Sequence, residues 1–196
     1  MLIGITGQIG SGKTTASKIF KSLGAAIIDA DKIGREVVEN SPALVKRLTT
    51  RFGDAILNKS GKLNRKRLAQ LAFADPKSKA ALNRIVHPYL LKELRQQEQK
   101  LGRSYEVVVI DAALLLDWKL DREVDFVLVI HASQPTRFRR VRSRGIGLAD
   151  ARARQAAQLP FSEYRRLADR VILNNKTEAD LRRKLERLYA RLTAIC

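Results

Sequence analysis

The first fourteen residues constrain the fold of this chain more than any other segment. An apolar, β-branched run at Leu2–Thr6 is followed at once by Gly7–Thr14, whose sequence is GQIGSGKT. That sequence fits the P-loop pattern of Gly, four residues, Gly, Lys and then Ser or Thr. A helical pattern continues to Leu23, with Gly24 where the helix would end. Strand, glycine-rich loop and helix in this order predict an α/β fold that binds a nucleoside triphosphate.

The residues of this loop each supply a distinct part of phosphate binding. Glycines let the backbone curl so that successive N–H groups face phosphate oxygens, and the following helix adds its positive dipole end. The Lys13 side chain can reach the β- and γ-phosphates, and the Thr14 hydroxyl can bind Mg²⁺. The predicted ATP-binding residues of the loop are Gly10, Ser11, Gly12, Lys13, Thr14 and Thr15.

Four more apolar runs have the length and composition of buried strands. They are Ala25–Ile28, Val107–Ile110, Phe126–Ile130 and Val171–Leu173. Continuous apolar strands separated by helical stretches are typical of a parallel sheet that is covered on both faces. The sequence therefore predicts a three-layer α/β fold with a five-stranded parallel sheet. A final amphipathic helix packed on this sheet is indicated by the repeat of Leu181, Leu185, Leu188 and Leu192.

Residues 32–103 contain no convincing strand and are predicted to form a helical insertion. Asp75–Pro76 is predicted to open one helix, and Pro88 is predicted to begin a last helix that ends at Gly102. His87 would then be a helix-junction or pocket-wall residue rather than a catalytic base. The predicted domains are a nucleotide-binding core of residues 1–31 and 104–196 and a helical subdomain of residues 32–103.

The net charge of +18 is unevenly distributed along the chain. Residues 32–103 carry +11 and residues 137–196 carry +10, whereas residues 1–31 and 104–136 carry +1 and −4. A nucleic-acid-binding tail would give one continuous basic run instead. A net charge of this size indicates polyanionic partners.

The composition excludes several classes of protein. The one cysteine is Cys196, so an intrachain disulfide or a cysteine-ligated zinc site cannot form. No apolar run approaches the roughly 18 residues that cross a membrane. The first residues also lack the length and charge of a signal peptide. We therefore expect a soluble cytoplasmic protein with no membrane partner.

Two carboxylates follow predicted strands at the edge where ligands bind in open α/β sheets. Asp31 comes after the second strand and could take the proton from an attacking hydroxyl, as the catalytic base of a kinase does. It could instead cap the helix that begins near Ile33. Asp111 ends the third strand, either in the Walker B arrangement that holds the water shell of Mg²⁺ or as a turn residue.

Five arginines occur within eight residues, with no acidic residue between them. They are Arg137, Arg139, Arg140, Arg142 and Arg144. Guanidinium groups over a P-loop neutralise charge on the transferring phosphoryl group and help to exclude water. We expect one or two of the five to reach phosphates and most of the others to lie at the surface.

A GTPase is a weaker interpretation of the same chain. Asn175–Glu178 (NKTE) comes near the guanine-recognition motif Asn-Lys-x-Asp, and Asp31–Gly34 fits Asp-x-x-Gly. However, Glu178 replaces the aspartate of the first motif. The second motif begins only 17 residues after Thr14, which is too early for the strand that it closes in a GTPase.

Several segments beyond the P-loop match one known family. The most specific are Asp29-Ala30-Asp31 followed by Arg35, and Leu82-Asn83 followed by His87-Pro88. Further matches are Gly61–Arg65, Leu68, Phe73, Arg140, Arg144, Gln158 and Ala168–Asn175. The chain therefore resembles the bacterial dephospho-coenzyme A kinases along nearly its whole length.

The resemblance implies transfer of the γ-phosphate of ATP to the ribose 3′-hydroxyl of dephospho-coenzyme A, the last step of coenzyme A synthesis. It implies that Asp31 is the base, that Lys13 and Arg140 act at the phosphates and that Mg²⁺ binds at Thr14. The helical insertion would bind the coenzyme, and residues 137–160 would form a lid. Other residues implied at ATP are Arg144 and Asn175, and those implied at the substrate are Asp31, Arg35, His87, Asp111 and Leu114.

Three places depart from the pattern of that family. The segment Ala113–Asp117 (ALLLD) replaces Pro-Leu-Leu-x-Glu, Tyr164 stands where a lysine is common, and Lys176 stands where glycine commonly follows the asparagines. These positions concern the rim of the substrate pocket and the adenine loop. They leave the P-loop and Asp31 intact.

Two other functions stay open at the level of the sequence. The P-loop and the arginine cluster would also suit a kinase that phosphorylates a nucleoside or a nucleoside monophosphate. The net charge would suit an RNA- or DNA-binding protein with a vestigial P-loop. Dephospho-coenzyme A is itself a polyanion, so the basic segments are expected without a specific nucleic-acid partner.

For the oligomeric state of the protein, a monomer is favoured.

Overall fold

The computed structural model describes residues 1–194, and Cys196 lies outside the described residues. Its strands are β1 (Leu2–Thr6), β2 (Ala26–Asp29), β3 (Val108–Asp111), β4 (Phe126–His131) and β5 (Arg170–Leu173). They form one sheet of order β2-β3-β1-β4-β5, in which every neighbouring pair is parallel. The five predicted strands and their parallel arrangement are confirmed.

Helices complete a three-layer α/β fold of the P-loop kinase type. They are α1 (Lys13–Ser22), α2 (Ala30–Asn40), α3 (Pro42–Phe52), α4 (Arg65–Ala72), α5 (Pro76–Gly102), α6 (Gln134–Arg142), α7 (Leu148–Ala156), α8 (Phe161–Leu167) and α9 (Glu178–Thr193). Short 3-10 turns occur at Asp54–Ile56 and Leu120–Arg122. Among residues 1–194, no helix combines the length and the apolar composition needed to cross a membrane.

The chain divides into two compact units. Within the described residues, one consists of Met1–Asp29 together with residues 97–194, and the other is Ala30–Gln96. The predicted insertion, residues 32–103, begins two residues later and ends seven residues later than this second unit. Helix α5 continues past Gln96 to Gly102, so no turn or change of composition marks that boundary in the sequence.

The predicted helix start at Pro88 is wrong. Pro88 lies inside α5, which runs without interruption from Pro76 to Gly102. Proline inside a helix removes one backbone hydrogen bond and costs about 3 kcal/mol or more. Leu90 and Leu94, which lie beyond the proline, are buried, and their packing offsets that cost. Since α5 also continues through His87, this residue is not at a helix junction.

The core of the first unit lies between the sheet and two helices on one of its faces. Thr177 is the N-cap of α9, and its hydroxyl accepts a hydrogen bond from the backbone N–H of Asp180. This cap starts the predicted amphipathic helix, whose apolar stripe then packs inward. One buried cluster joins strands β1 and β4 with α1 and α9 through Ile3, Ile5, Ile19, Phe20, Leu128, Ile130, Leu181 and Leu185.

The helical unit has a hydrophobic core of its own. The Asn64 side chain caps α4 by accepting the backbone N–H of Arg67 at 3.1 Å. The turn that begins at Asn58 precedes this cap, and its carbonyl accepts the N–H of Gly61 at 2.9 Å. The buried residues of this core are Val38, Leu44, Leu48, Ile56, Leu68 and Ala72.

Candidate active site

The P-loop lies at the carboxyl edge of the sheet, where three other strands also end. β1 lies between β3 and β4, so the loop that follows it opens beside the ends of both neighbours. Asp111 is the last residue of β3, His131 is the last residue of β4, and Asn174 follows β5 directly. Ligands of open α/β sheets bind at this edge, next to the strand where the connections diverge.

Gly10 and Gly12 are among the loop glycines that lie so close to neighbouring groups that no side chain would fit. Gly10 has a φ of 77°, and a Cβ there would be 2.5 Å from the backbone carbonyl oxygen of Arg137. Gly12 has a φ of 99°, and a Cβ there would collide with the side-chain amide of Asn174. Gly12 is also the N-cap of α1 and offers no side chain to cap it. The first N–H groups of α1 are therefore suited to an anion.

Lys13 and Asp111 form an ion pair at this edge. The Lys13 Nζ donates to Asp111 Oδ1, and the two side chains are only 16% and 12% exposed. Asp111 lies opposite Ile5 in the register of β3 with β1, so the sheet sets its position beside the loop. The carboxylate therefore orients the lysine that the P-loop pattern assigns to the phosphates.

The Ser11 carbonyl is held by two side chains from distant parts of the chain. Asn174 Nδ2 donates to it at 2.8 Å, and Arg140 Nη1 donates to it at 3.4 Å. Arg140 Nη2 also donates to Asn174 Oδ1 at 3.4 Å. The sequence motifs assign no role to Asn174, although it follows a strand just as Asp111 ends one. That position at the carboxyl edge is the signal that could have indicated it.

The arginine cluster divides into residues with different surroundings. Arg140 is half-buried, and its burial, together with the charges of Arg139 and Arg144, lowers its pKa from the ordinary value. An arginine pKa is so high that the guanidinium stays charged at neutral pH. Arg139, Arg142 and Arg144 are exposed. Arg140 is therefore the member of the cluster that contacts the P-loop backbone.

Arg137 is an exception among the arginines expected at the surface, because it is only 4% exposed. Its Nε donates to the Ala132 carbonyl at 3.0 Å, and its Nη2 donates to Gln155 Oε1 at 3.4 Å. Burial lowers the pKa of this guanidinium. Arg137 thus joins α6 to α7 beneath the loop.

The segment between α7 and α8 is tied to the P-loop by two hydrogen bonds. Gln158 Oε1 accepts the backbone N–H of Ile9 at 2.9 Å, and Gln8 Nε2 donates to the Leu159 carbonyl at 3.1 Å. Both residues after α7 belong to the segment that is predicted to form a lid. Gln158 matches the family pattern, which gives it no role, and the structure shows that it holds the loop backbone.

Tyr164, which stands where a lysine is common in the family, is buried in α8 and is 1% exposed. Burial, with a smaller effect of the Asp117 charge, raises its pKa to about 12. The nearby positive charge of Arg137 opposes this rise. Tyr164 is therefore a neutral packing residue.

Other predicted nucleotide and substrate residues of the first unit lie near strand and helix ends. Asn175 Oδ1 accepts the backbone N–H of Ser133 at 2.7 Å, which joins the chain after β5 to the start of α6. Thr14 is exposed in the first turn of α1, and Thr15 is half-buried. Leu114 is half-buried in the turns that follow β3. The hydrogen bond of Asn175 is thus made to a backbone group of the protein.

Three predicted site residues belong to the helical unit. Asp31 is half-buried in the first turn of α2, which begins at Ala30, so Asp31 lies within the helix and is not its N-cap. Arg35 follows four residues later, so the two side chains share one face of α2. His87 is half-buried in α5, and its Nε2 has no hydrogen-bond partner among the described residues.

Residues 1–194 contain no group of three or more His, Cys, Asp or Glu side chains that could hold a metal ion by themselves. A Mg²⁺ ion that arrives with a nucleotide takes most of its ligands from phosphates and water and needs only one or two protein oxygens. The Thr14 hydroxyl is exposed and follows Lys13 in the chain. The Asp111 carboxylate accepts a hydrogen bond from the side chain of the same lysine. These oxygens fit such an ion.

Comparison of the sequence with known families and proteins gives one consistent result. The sequence profile of the dephospho-CoA kinase family matches residues 1–180. A dephospho-CoA kinase of Corynebacterium glutamicum is 39% identical over 192 residues, which cover 97% of this chain and 98% of that protein.

Solved structures show the same relationship. A crystal structure of a protein from Thermus thermophilus has a TM-score of 0.83 and 33% identity, and the match covers 98% of this chain and 97% of that one. A dephospho-CoA kinase from Campylobacter jejuni has a TM-score of 0.71 and 25% identity, with 97% and 96% of the two chains covered.

Proposed function

The chain belongs to the dephospho-CoA kinase family, and from this membership we propose that it transfers the γ-phosphate of ATP to the ribose 3′-hydroxyl of dephospho-coenzyme A. The products are ADP and coenzyme A. The observation that carries the proposal is the grouping of the P-loop, the Lys13–Asp111 ion pair and Arg140 at one sheet edge. Such an arrangement positions a triphosphate and neutralises the charge that develops during transfer.

The nucleotide binds through the loop and the basic side chains around it. The N–H groups of Gly10 and Gly12 face the phosphates, and Lys13 reaches the β- and γ-phosphates. The Ser11 N–H donates to the Gln8 carbonyl at 3.0 Å and closes the turn of the loop. Arg140 approaches from α6, whose backbone packs against Gly10. Thr15 and Arg144 add contacts to the phosphates, and Asn175 lies near the adenine.

Asp31 is the catalytic base of the proposed reaction. Its carboxylate takes the proton of the 3′-hydroxyl while the hydroxyl oxygen forms a bond to the γ-phosphorus. The bond from the γ-phosphorus to the bridging oxygen breaks, and ADP leaves with that oxygen. Arg35, four residues along the same face of α2, binds the anionic acceptor beside the base.

Mg²⁺ accompanies ATP, with Thr14 as its protein ligand and Asp111 next to its water shell. When bound, the ion neutralises charge on the β- and γ-phosphates. The ion pair with Lys13 keeps the Asp111 carboxylate at the sheet edge, where it also borders the substrate. Leu114, in the turns that follow β3, supplies an apolar contact to the substrate.

The helical subdomain, residues 32–103, binds the coenzyme, and residues 137–160 form a lid. His87 is a substrate-binding residue of this subdomain, and its Nε2 is buried without a protein partner among the described residues. The net charge of +18 attracts two polyanionic substrates, so no specific nucleic-acid or membrane partner is needed. The enzyme acts as a cytoplasmic monomer.

The proposal is tested by measuring ADP release with Mg-ATP and dephospho-coenzyme A. Parallel reactions contain AMP, CMP, a nucleoside or no acceptor. Turnover that depends on dephospho-coenzyme A is expected, and mass spectrometry of the product should show one added phosphate at the 3′ position. Preferential phosphorylation of a monophosphate or a nucleoside would assign the chain to another small-acceptor kinase activity. ATP hydrolysis that no acceptor stimulates would also contradict the proposal.

A further inference from the structure

Asn174 is a buried polar residue whose position is fixed by the sheet. It follows β5 directly and is 4% exposed. Its backbone N–H donates to the His131 carbonyl at 2.7 Å, which extends the β4–β5 pairing by one residue. Because the backbone is held in this way, the side chain is directed at the P-loop and not at solvent.

The two ends of the Asn174 amide bind different partners. The Nδ2 group donates to the Ser11 carbonyl at 2.8 Å, and Oδ1 accepts from Arg140 Nη2 at 3.4 Å. The Arg140 Nη1 group reaches the same Ser11 carbonyl, which closes a triangle of three residues. A carboxylate has no donor for Ser11, and an aliphatic side chain of this size has neither a donor nor an acceptor.

The Ser11 carbonyl matters because its peptide group also carries the Gly12 N–H. In a trans peptide the C=O and the N–H point in opposite directions, and no cis peptide bond occurs in the described residues. Asn174 holds the carbonyl on its own side, so the Gly12 N–H points away from Asn174. The fit is close, because a Cβ on Gly12 would collide with this amide.

We propose that Asn174 is a positioning residue that turns the Gly12 N–H of the Ser11–Gly12 peptide toward the phosphates of the nucleotide and fixes the Arg140 guanidinium beside the loop. The inference rests on the proposed function, because it takes the loop N–H groups and Arg140 as the phosphate-binding groups. Asn174 then affects phosphate binding and transfer through these two partners. A misplacement of about 1 Å in such a site can lower the rate by on the order of 10²-fold.

The test compares Asn174→Ala and Asn174→Asp with the wild-type protein and with Leu173→Ala. Leu173 is the preceding residue, its side chain is 53% exposed, and its replacement is a matched control. We expect Asn174→Ala to weaken ADP binding in calorimetry and to lower kcat/KM for ATP by about 10- to 100-fold. Asn174→Asp should be worse, because an oxygen then faces the Ser11 carbonyl. Leu173→Ala should match the wild type.

A double-mutant cycle with Arg140→Ala separates positioning from simple support of the fold. If Asn174 acts through Arg140, the fold-decrease of kcat/KM in the double variant is smaller than the product of the fold-decreases in the two single variants. Losses that multiply, or a lower melting temperature with unchanged ADP affinity and kcat, would overturn the inference. An inactive wild-type protein would refute the proposed function instead, and the ADP affinity of Asn174→Ala would still decide the role of Asn174.

Discussion

The ammonium group of Lys13 donates to the carboxylate of Asp111, so that the first residue of α1 is paired with the last residue of β3. The two residues are 98 positions apart in the chain. Neither side chain is more than 16% exposed, which keeps the pair out of bulk water and limits the freedom of the lysine.

Replacing Lys13 should remove much of the catalytic power of the P-loop. Lys13→Ala is expected to lower kcat by on the order of 10²–10³-fold, because a preorganised charge at the transferring phosphate is lost. The single variant also leaves the Asp111 carboxylate without this cation. Steady-state kinetics and thermal melting measure the two effects, and Lys18→Ala, an exposed lysine on α1, is the matched control.

The companion variant is Lys13→Ala with Asp111→Asn. Because Asp111 orients Lys13, the two residues work partly as one unit, and the double variant should lose less kcat than the product of the losses in the two single variants. It should also melt at a higher temperature than Lys13→Ala, because the unpaired carboxylate is gone. A further large loss of kcat would show that Asp111 has a separate catalytic contribution.

Asp31→Asn tests the catalytic base. Neutralising this carboxylate should leave ATP affinity nearly unchanged and lower turnover of dephospho-coenzyme A by on the order of 10²–10⁴-fold. Glu36→Gln, an exposed acidic residue on the same helix, should keep normal turnover. Near-normal activity of Asp31→Asn would remove Asp31 from the role of base.

The kcat of Arg140→Ala should distinguish Arg140 from the exposed arginines of the same cluster. We expect it to lower kcat by on the order of 10²–10³-fold, as for loss of one preorganised donor. Arg140→Lys should recover only part of this activity, because an ammonium cannot hold Ser11 and Asn174 with one planar fork. Arg139→Ala, at an exposed position, is the control. Equal losses in the two alanine variants would contradict a specific role for Arg140.

Tyr164 should make stability depend on pH in the alkaline range. Its pKa is raised from 10.0 to about 12 in the folded protein, so the unfolded chain loses the phenolic proton first. The stability that Tyr164 contributes is complete below pH 10 and is lost as the pH rises from 10 to about 12. Urea unfolding at several pH values should show a smaller loss in Tyr164→Phe. Tyr105→Phe, at an exposed tyrosine, should behave as the wild type.

Local patterns predicted most of the fold. The apolar runs, the glycine-rich loop and the leucine repeat of α9 each lie within one short segment, and each gave the correct element. Short-range patterns succeed here because a strand or an amphipathic helix shows the environment of its two faces in its own sequence. They failed at Pro88, where burial of Leu90 and Leu94 keeps α5 continuous despite the proline.

The sequence by itself determined that the chain has a P-loop, a parallel sheet and the motifs of one kinase family, because these features depend on neighbouring residues. Only the tertiary structure decided which side chains hold the loop. Asn174 and Ser11 are 163 residues apart and meet because β5 ends beside β4 at the carboxyl edge. The same packing buries Arg137 and leaves Arg140 at the loop. Strand order and helix packing, which no local pattern records, therefore divide the five arginines between structure and site.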